Sequence, residues 1–160
     1  MRRFLTRTQT PLPLWDFCCL YTTELRNWIA RPLPKQNGRT PYEILTGNTL
    51  DVSEFLEFTW YQPIWYYEPD VFLEQTKHLA QWIGIALRVG QAMCFWVLPS
   101  SGIPIARTSI QALTQKELDS EICQGQIEKL DNIIKGKLKS DEIAETINDF
   151  KLYRADEDPE

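Results

Sequence analysis

A single histidine, His78, and four cysteines, Cys18, Cys19, Cys94 and Cys123, are the whole supply of imidazole and thiol in this chain. One histidine cannot build a zinc knuckle, and no two cysteines stand at CxxC spacing, so a zinc site within one chain is excluded. No cysteine lies in a nucleophile motif; the four read as reduced thiols, mostly core filler, of an intracellular protein. His78 reads as a surface residue at the start of a strand. The scattered glycines form neither GxxxxGK[ST] nor GxGxxG, which leaves nucleotide cradling unsupported. Asp141 and Glu142 fall at a helix start, where the helix dipole explains acids better than catalysis does. No metal or other cofactor is expected.

What remains is binding chemistry. Arg26, Arg31, Lys35, Arg39, Lys77, Arg88 and Arg107 form a candidate DNA-contact set, because guanidinium and ammonium groups bind phosphate irrespective of sequence. The opposing reading, ordinary surface charge, draws on the net charge of −5. The sign is unevenly spread: residues 114–160 hold thirteen acids against seven bases, while residues 1–50 hold seven bases against three acids. Trp60, Tyr61, Trp65, Tyr66, Tyr67, Trp82 and Trp96 are able to stack on bases. Core packing is the favoured role for most of them, since a small sheet needs large side chains to fill it.

The elements that position these residues follow from periodicity. Leu14, Phe17, Cys18, Tyr21, Leu25, Trp28 and Ile29 share one face of a helix over 14–30, begun near Pro13 and stopped by Pro32 and Pro34. Thr40, Pro41 and Glu43 predict a capping box, with Gly47 ending a short helix. The aromatic run 58–69 predicts a strand that its internal Pro63 confines to an edge or a bulge. AQWIGIALRVG, QAMCFWVLP and IPIARTSIQAL predict further strands, with bends at Gly84 and Gly90 and a turn at 99–102. Thr114 with Glu117 predicts a second capping box. A glycine-weakened helix carrying Ile122, Ile127, Leu130, Ile133, Ile134 and Leu138 follows, then a last helix with Ile143, Ile147 and Phe150, and a disordered acidic tail. No apolar run reaches the roughly 20 residues needed to span a bilayer, and no signal-peptide pattern is present.

Asn37, Gly38, Arg39, Thr40, Pro41, Tyr42 and Glu43, preceded by Pro13-Leu14-Trp15 and followed by Trp82-Ile83-Gly84-Ile85 and the block from Ala92 to Ile110, resemble the stretch after the catalytic core of copia-type retrotransposon integrases. The resemblance spans about residues 11–113. It departs from the family at Phe58-Thr59-Trp60, where a Phe-Gly-Cys-like element is common. It implies an α+β architecture: N-terminal helices, a small SH3-like antiparallel β-barrel, and charged C-terminal helices. The corresponding segments are 1–50, the helical tail of a truncated RNase H-like core; 51–113, the SH3-like domain; and 114–160, the helices and acidic tail. It further implies a piece of a Pol polyprotein that supports DNA binding and integrase assembly, with DNA and the rest of the polyprotein as partners, a homo-oligomer among the assemblies, and a nuclear location. The family's strand transfer needs three carboxylates holding two divalent metals. No Asp here is followed by Glu at the family's spacing, and the catalytic Glu is expected upstream of Met1, so no catalytic residue is assigned and the chain is not expected to be an enzyme. The alternative is a protein-interaction module whose aromatic sheet binds an extended peptide while acidic helices recruit a partner.

Overall fold

The computed structural model describes residues 5, 7–30, 37–49, 51–53, 56–68, 76–86, 89 and 93–139. It is an α+β protein, helices combined with a five-stranded antiparallel sheet. The chain divides into two compact units, Met1–Trp60 and Tyr61–Glu160. The division falls inside the aromatic run, so Phe58 and Trp60 belong with the helices. The expected last helix and acidic tail, and Gly90, lie outside the described residues.

In the first unit a 3-10 turn, Leu12–Leu14, leads into α1, Trp15–Trp28. Pro13 suits such a start because its missing N–H has no partner to lose there. Leu14, Phe17, Cys18 and Tyr21 form the buried stripe, joined by Leu5, Phe58 and Trp60. The stripe is buried only over its first half: Leu25 and Trp28 are partly exposed, and Ile29, already extended, is exposed. Trp60 sets the depth of this core by stacking on Tyr21, 5.6 Å between centroids, while its indole N–H donates to Thr10 Oγ1 at 2.9 Å. The second helix, α2, is Pro41–Thr46 and packs against α1.

In the second unit the strands are β1 Pro63–Tyr67, β2 Lys77–Ala86, β3 Cys94–Leu98, β4 Ile105–Arg107 and β5 Ile110–Ala112. Their order is β4-β3-β2-β1-β5, all pairs antiparallel. β1 is thus an interior strand in regular register with both neighbours, a correction to the edge or bulge inferred from Pro63. Proline is tolerated because it is the first residue of the strand and β5 begins its pairing one residue later, at Ile64. The segment IPIARTSIQAL, expected as one strand, breaks at Thr108-Ser109 into two strands on opposite edges of the sheet.

That break shapes the sheet. Three Cα–Cα steps from Arg107 to Ile110 span at most about 11 Å. The edges of a flat five-stranded sheet would stand about 19 Å apart. The sheet must therefore curl until β4 and β5 approach each other. They do not pair, so the product is an open curled sheet rather than the closed barrel expected. Curling is helped at Gly84, where the register shifts between Trp82 and Gly84 and φ is +131°, a conformation L side chains rarely adopt.

The concave face carries Ile64, Tyr66, Ala80, Trp82, Phe95 and Val97, all buried. From Ala80 to Ala86 β2 is buried at every residue, which requires cover on both faces and explains its unbroken apolar run. Part of that cover is helical. α3, Gln115–Leu118, is followed by α4, Glu121–Lys137, whose Cys123, Leu130 and Ile134 are buried and which packs on β2. Gly125 and Gly136 both lie within α4 without breaking it. A hydrogen bond from Tyr61 Oη to Asp131 Oδ1 at 2.8 Å ties this helix to the residues before β1. Burial first, then this hydrogen bond and the Asp131 charge, push the Tyr61 phenol up, so it stays protonated as the donor.

Candidate nucleic-acid interface

The motif Asn37 to Glu43 builds a turn and a helix start. Asn37 and Gly38 both have positive φ, 47° and 76°, as an Asn-Gly turn requires. Thr40 Oγ1 then accepts from the Glu43 N–H at 3.1 Å, and Glu43 Oε2 accepts from the Thr40 N–H at 2.8 Å. The Thr40 backbone hydrogen bond is the foremost reason that the Glu43 carboxyl is held below its usual range. Gly47 closes the helix at φ +74°. Within the motif, Thr40, Pro41 and Glu43 shape the backbone, leaving Arg39 as the exposed charge. Arg26 is exposed in the last turn of α1, where a cation complements the helix dipole. Glu24, half-buried two residues before it, is pushed up to about 7 by burial. Near neutral pH it opposes a nearby phosphate less than a surface glutamate would.

In the second unit the two described basic candidates behave differently. Lys77, at the start of β2, pairs with Glu117 Oε1 at 3.0 Å and lies over the Trp65 ring, 4.5 Å from its centroid. The Trp65 indole N–H donates to the same Glu117 oxygen at 3.2 Å. Arg107, ending β4, holds its guanidinium carbon 5.9 Å from the Tyr66 ring centroid. Register places the two cations on opposite faces: Lys77 opposes Tyr67, whereas Tyr66 opposes His78 on the concave side. The structure therefore does not merge Lys77 and Arg107 into one basic patch. Arg31, Lys35 and Arg88 lie outside the described residues, so the expected Arg88–Arg107 neighbourhood does too.

Glu117 was legible in the sequence as a capping residue but not as the partner of Lys77, because that contact joins residues far apart in the chain. The Thr114 backbone N–H, then the Lys77 ammonium and the Thr114 hydroxyl, bring its carboxyl down from 4.5 to about 2. A depressed carboxyl pKa contributes stability that is present above the unfolded value and is lost as pH falls through the folded value. Thermal melts of the full chain are thus expected to lose a component of stability between about pH 4.5 and pH 2. Glu117→Gln should flatten that part of the profile; an unchanged profile would remove the ion pair from the account.

Among the aromatic candidates, Trp60, Tyr66 and Trp82 are buried, whereas Tyr61, Trp65, Tyr67 and Trp96 are partly exposed. Tyr67 Oη donates to Gln111 Oε1 at 2.9 Å, so even a partly open ring is fixed in place. His78 is half-exposed, its ring 5.4 Å from that of Tyr66 and its Nε2 3.8 Å from Glu68 Oε2. Sequence reasoning missed this grouping of Tyr66, His78, Glu68 and Arg107. Ile64 to Tyr67 are all apolar or aromatic, so no local pattern signalled which of them face inward, nor that Arg107 arrives there.

All four cysteines are free, and Cys18, Cys94 and Cys123 are buried. Among the described residues no group of His, Cys, Asp and Glu could hold a metal ion, and no helix is long and apolar enough to cross a membrane. No protein-family model, curated protein or solved structure matches the chain.

Proposed function

We propose that the chain is a non-catalytic fragment of a copia-type retrotransposon integrase and Pol polyprotein that supports DNA binding and integrase assembly in the nucleus. The observation that carries this reading is the Asn37–Glu43 block, folded as a turn with a capping box and followed in the chain by a small curled meander sheet. Of the candidate set, Arg26 and Arg39 are described, exposed and outside carboxylate ion pairs, and they supply sequence-independent phosphate contacts. Lys77 contributes less, since an arriving phosphate must compete with Glu117.

The test is the affinity for duplex DNA as a function of salt. Two phosphate contacts predict a slope of about −1.8 in log K against log salt, or about 12-fold weakening between 50 and 200 mM. Arg26→Gln with Arg39→Gln should bring the slope close to zero. Absence of binding at low salt would reject the reading. So would affinity that does not change with salt.

A second reading, a protein-interaction module, is favoured by the exposure of Leu12, Trp15, Leu20, Ile44, Leu45 and Leu56 in the first unit. Apolar association persists at high salt, so the same titration with a protein partner separates the two.

A further inference from the structure

We propose that the concave mouth of the curled sheet, where Arg107, Tyr66 and His78 converge, is a seat for a terminal phosphate on a nucleic-acid strand, an inference that rests on the DNA-binding reading above.

Arg107 opposes Phe95 in the ladder, and Phe95 is buried on the concave side, so Arg107 projects from the core-facing surface. Among the described residues its buried Nε has no hydrogen-bond partner, and its guanidinium bonds the carbonyl of its neighbour Ala106, at 3.1 Å. Among the described residues no carboxylate lies within ion-pair distance of it. A guanidinium half withdrawn from water, held over a tyrosine ring and left with an open donor is costly until an oxyanion meets it. Its planar fork matches phosphate geometry. Tyr66, whose phenol is pushed up chiefly by burial and secondly by the Glu68 charge, against the opposing Arg107, keeps its proton and with it a donor role. His78 completes the rim. Glu68 is the adverse charge at the site, half-exposed and directed to His78.

Recession decides which phosphate fits. The backbone phosphates of a rigid duplex lie on its outer surface and reach exposed cations such as Arg26 and Arg39 first. A strand end is slender, and a terminal phosphate carries close to a second negative charge at neutral pH. Lys77 lies on the other face of the sheet, so the selectivity of this side depends on Arg107.

Two measurements on the full chain test the proposal. Inorganic phosphate, titrated while the aromatic and Arg side-chain NMR signals are followed, should shift Tyr66, His78 and Arg107 saturably, and Arg107→Gln should abolish the response. A 5′- or 3′-phosphorylated single-stranded oligonucleotide should bind about tenfold more tightly than its hydroxyl-ended twin at low salt. Arg107→Gln should bring that ratio to about one. Arg107→Lys, which keeps the charge and the fold should glutamine compromise it, should retain part of the ratio, and Glu68→Gln should raise it. Equal binding of phosphorylated and hydroxyl-ended strands overturns the seat while leaving salt-dependent DNA binding intact. A phosphate response that survives in Arg107→Gln also overturns it. If neither oligonucleotide binds at any salt, the DNA-binding reading and this inference fall together.

Discussion

Trp82→Ala is expected to destabilise the sheet unit by about 3–5 kcal/mol, enough to leave much of it unfolded at ordinary temperature. Trp82 has no exposed surface and is the largest fully buried side chain among the described residues. It lies where the sheet bends, one residue before the extra residue Ile83, and its backbone bonds both Tyr61 and Gln62: its carbonyl accepts from the Tyr61 N–H at 2.9 Å and its N–H donates to the Gln62 carbonyl at 2.8 Å. Tyr61 is itself held at φ +60°, a conformation unfavourable for a bulky residue. Removing the indole leaves a cavity under the bend and loosens the residues that support this strained start of β1. Urea melts followed by near-UV circular dichroism would measure the loss. Trp65→Ala is the control: that ring is half-exposed on the opposite face, and the smaller area it removes from water predicts about 1–2 kcal/mol. Equal costs for the two would contradict the assignment of the concave face as the core.

The corresponding substitution in the helical unit, Trp60→Ala, is expected to cost about 3–5 kcal/mol by the same cavity argument. Trp60 is 3% exposed and makes two specific contacts, the stack on Tyr21 and the hydrogen bond to Thr10. The unit is small and its described helices are short, so this ring is a large part of its apolar core. Thr10→Val separates the two contributions. It preserves the stack but leaves the buried indole N–H without its acceptor, at a cost of about 1–3 kcal/mol. Hydrogen exchange of the α1 amides reports both changes; protection unchanged in Trp60→Ala would place the core of this unit elsewhere.

Local structure was legible in the sequence wherever a few adjacent residues suffice to determine it. The helix begun at Pro13, both capping boxes, the left-handed cap at Gly47, the turn at Pro99–Gly102 and the bend at Gly84 are each fixed by backbone hydrogen bonds or dihedral preferences within a few residues. The first half of the apolar stripe of α1 was legible for the same reason, since period 3.6 is a property of the local chain. Pro63 shows the limit of such reasoning. Its missing donor constrains the residue, but whether that donor is needed depends on where β5 starts, and β5 is nearly fifty residues away.

The sequence by itself determined the α+β class, the helix caps, the absence of zinc-ligand spacing and the candidate cations. Only the tertiary structure decided which of those cations is open to a ligand. Lys77 and Arg107 are alike in the sequence as members of the candidate DNA-contact set. In the fold one is neutralised by Glu117 on the outer face, and the other is carried to the concave side. The cause is the two-residue link Thr108-Ser109, too short to cross a flat sheet, which curls the sheet and brings Arg107 over Tyr66. Long-range pairing sets that geometry, and no local propensity encodes it.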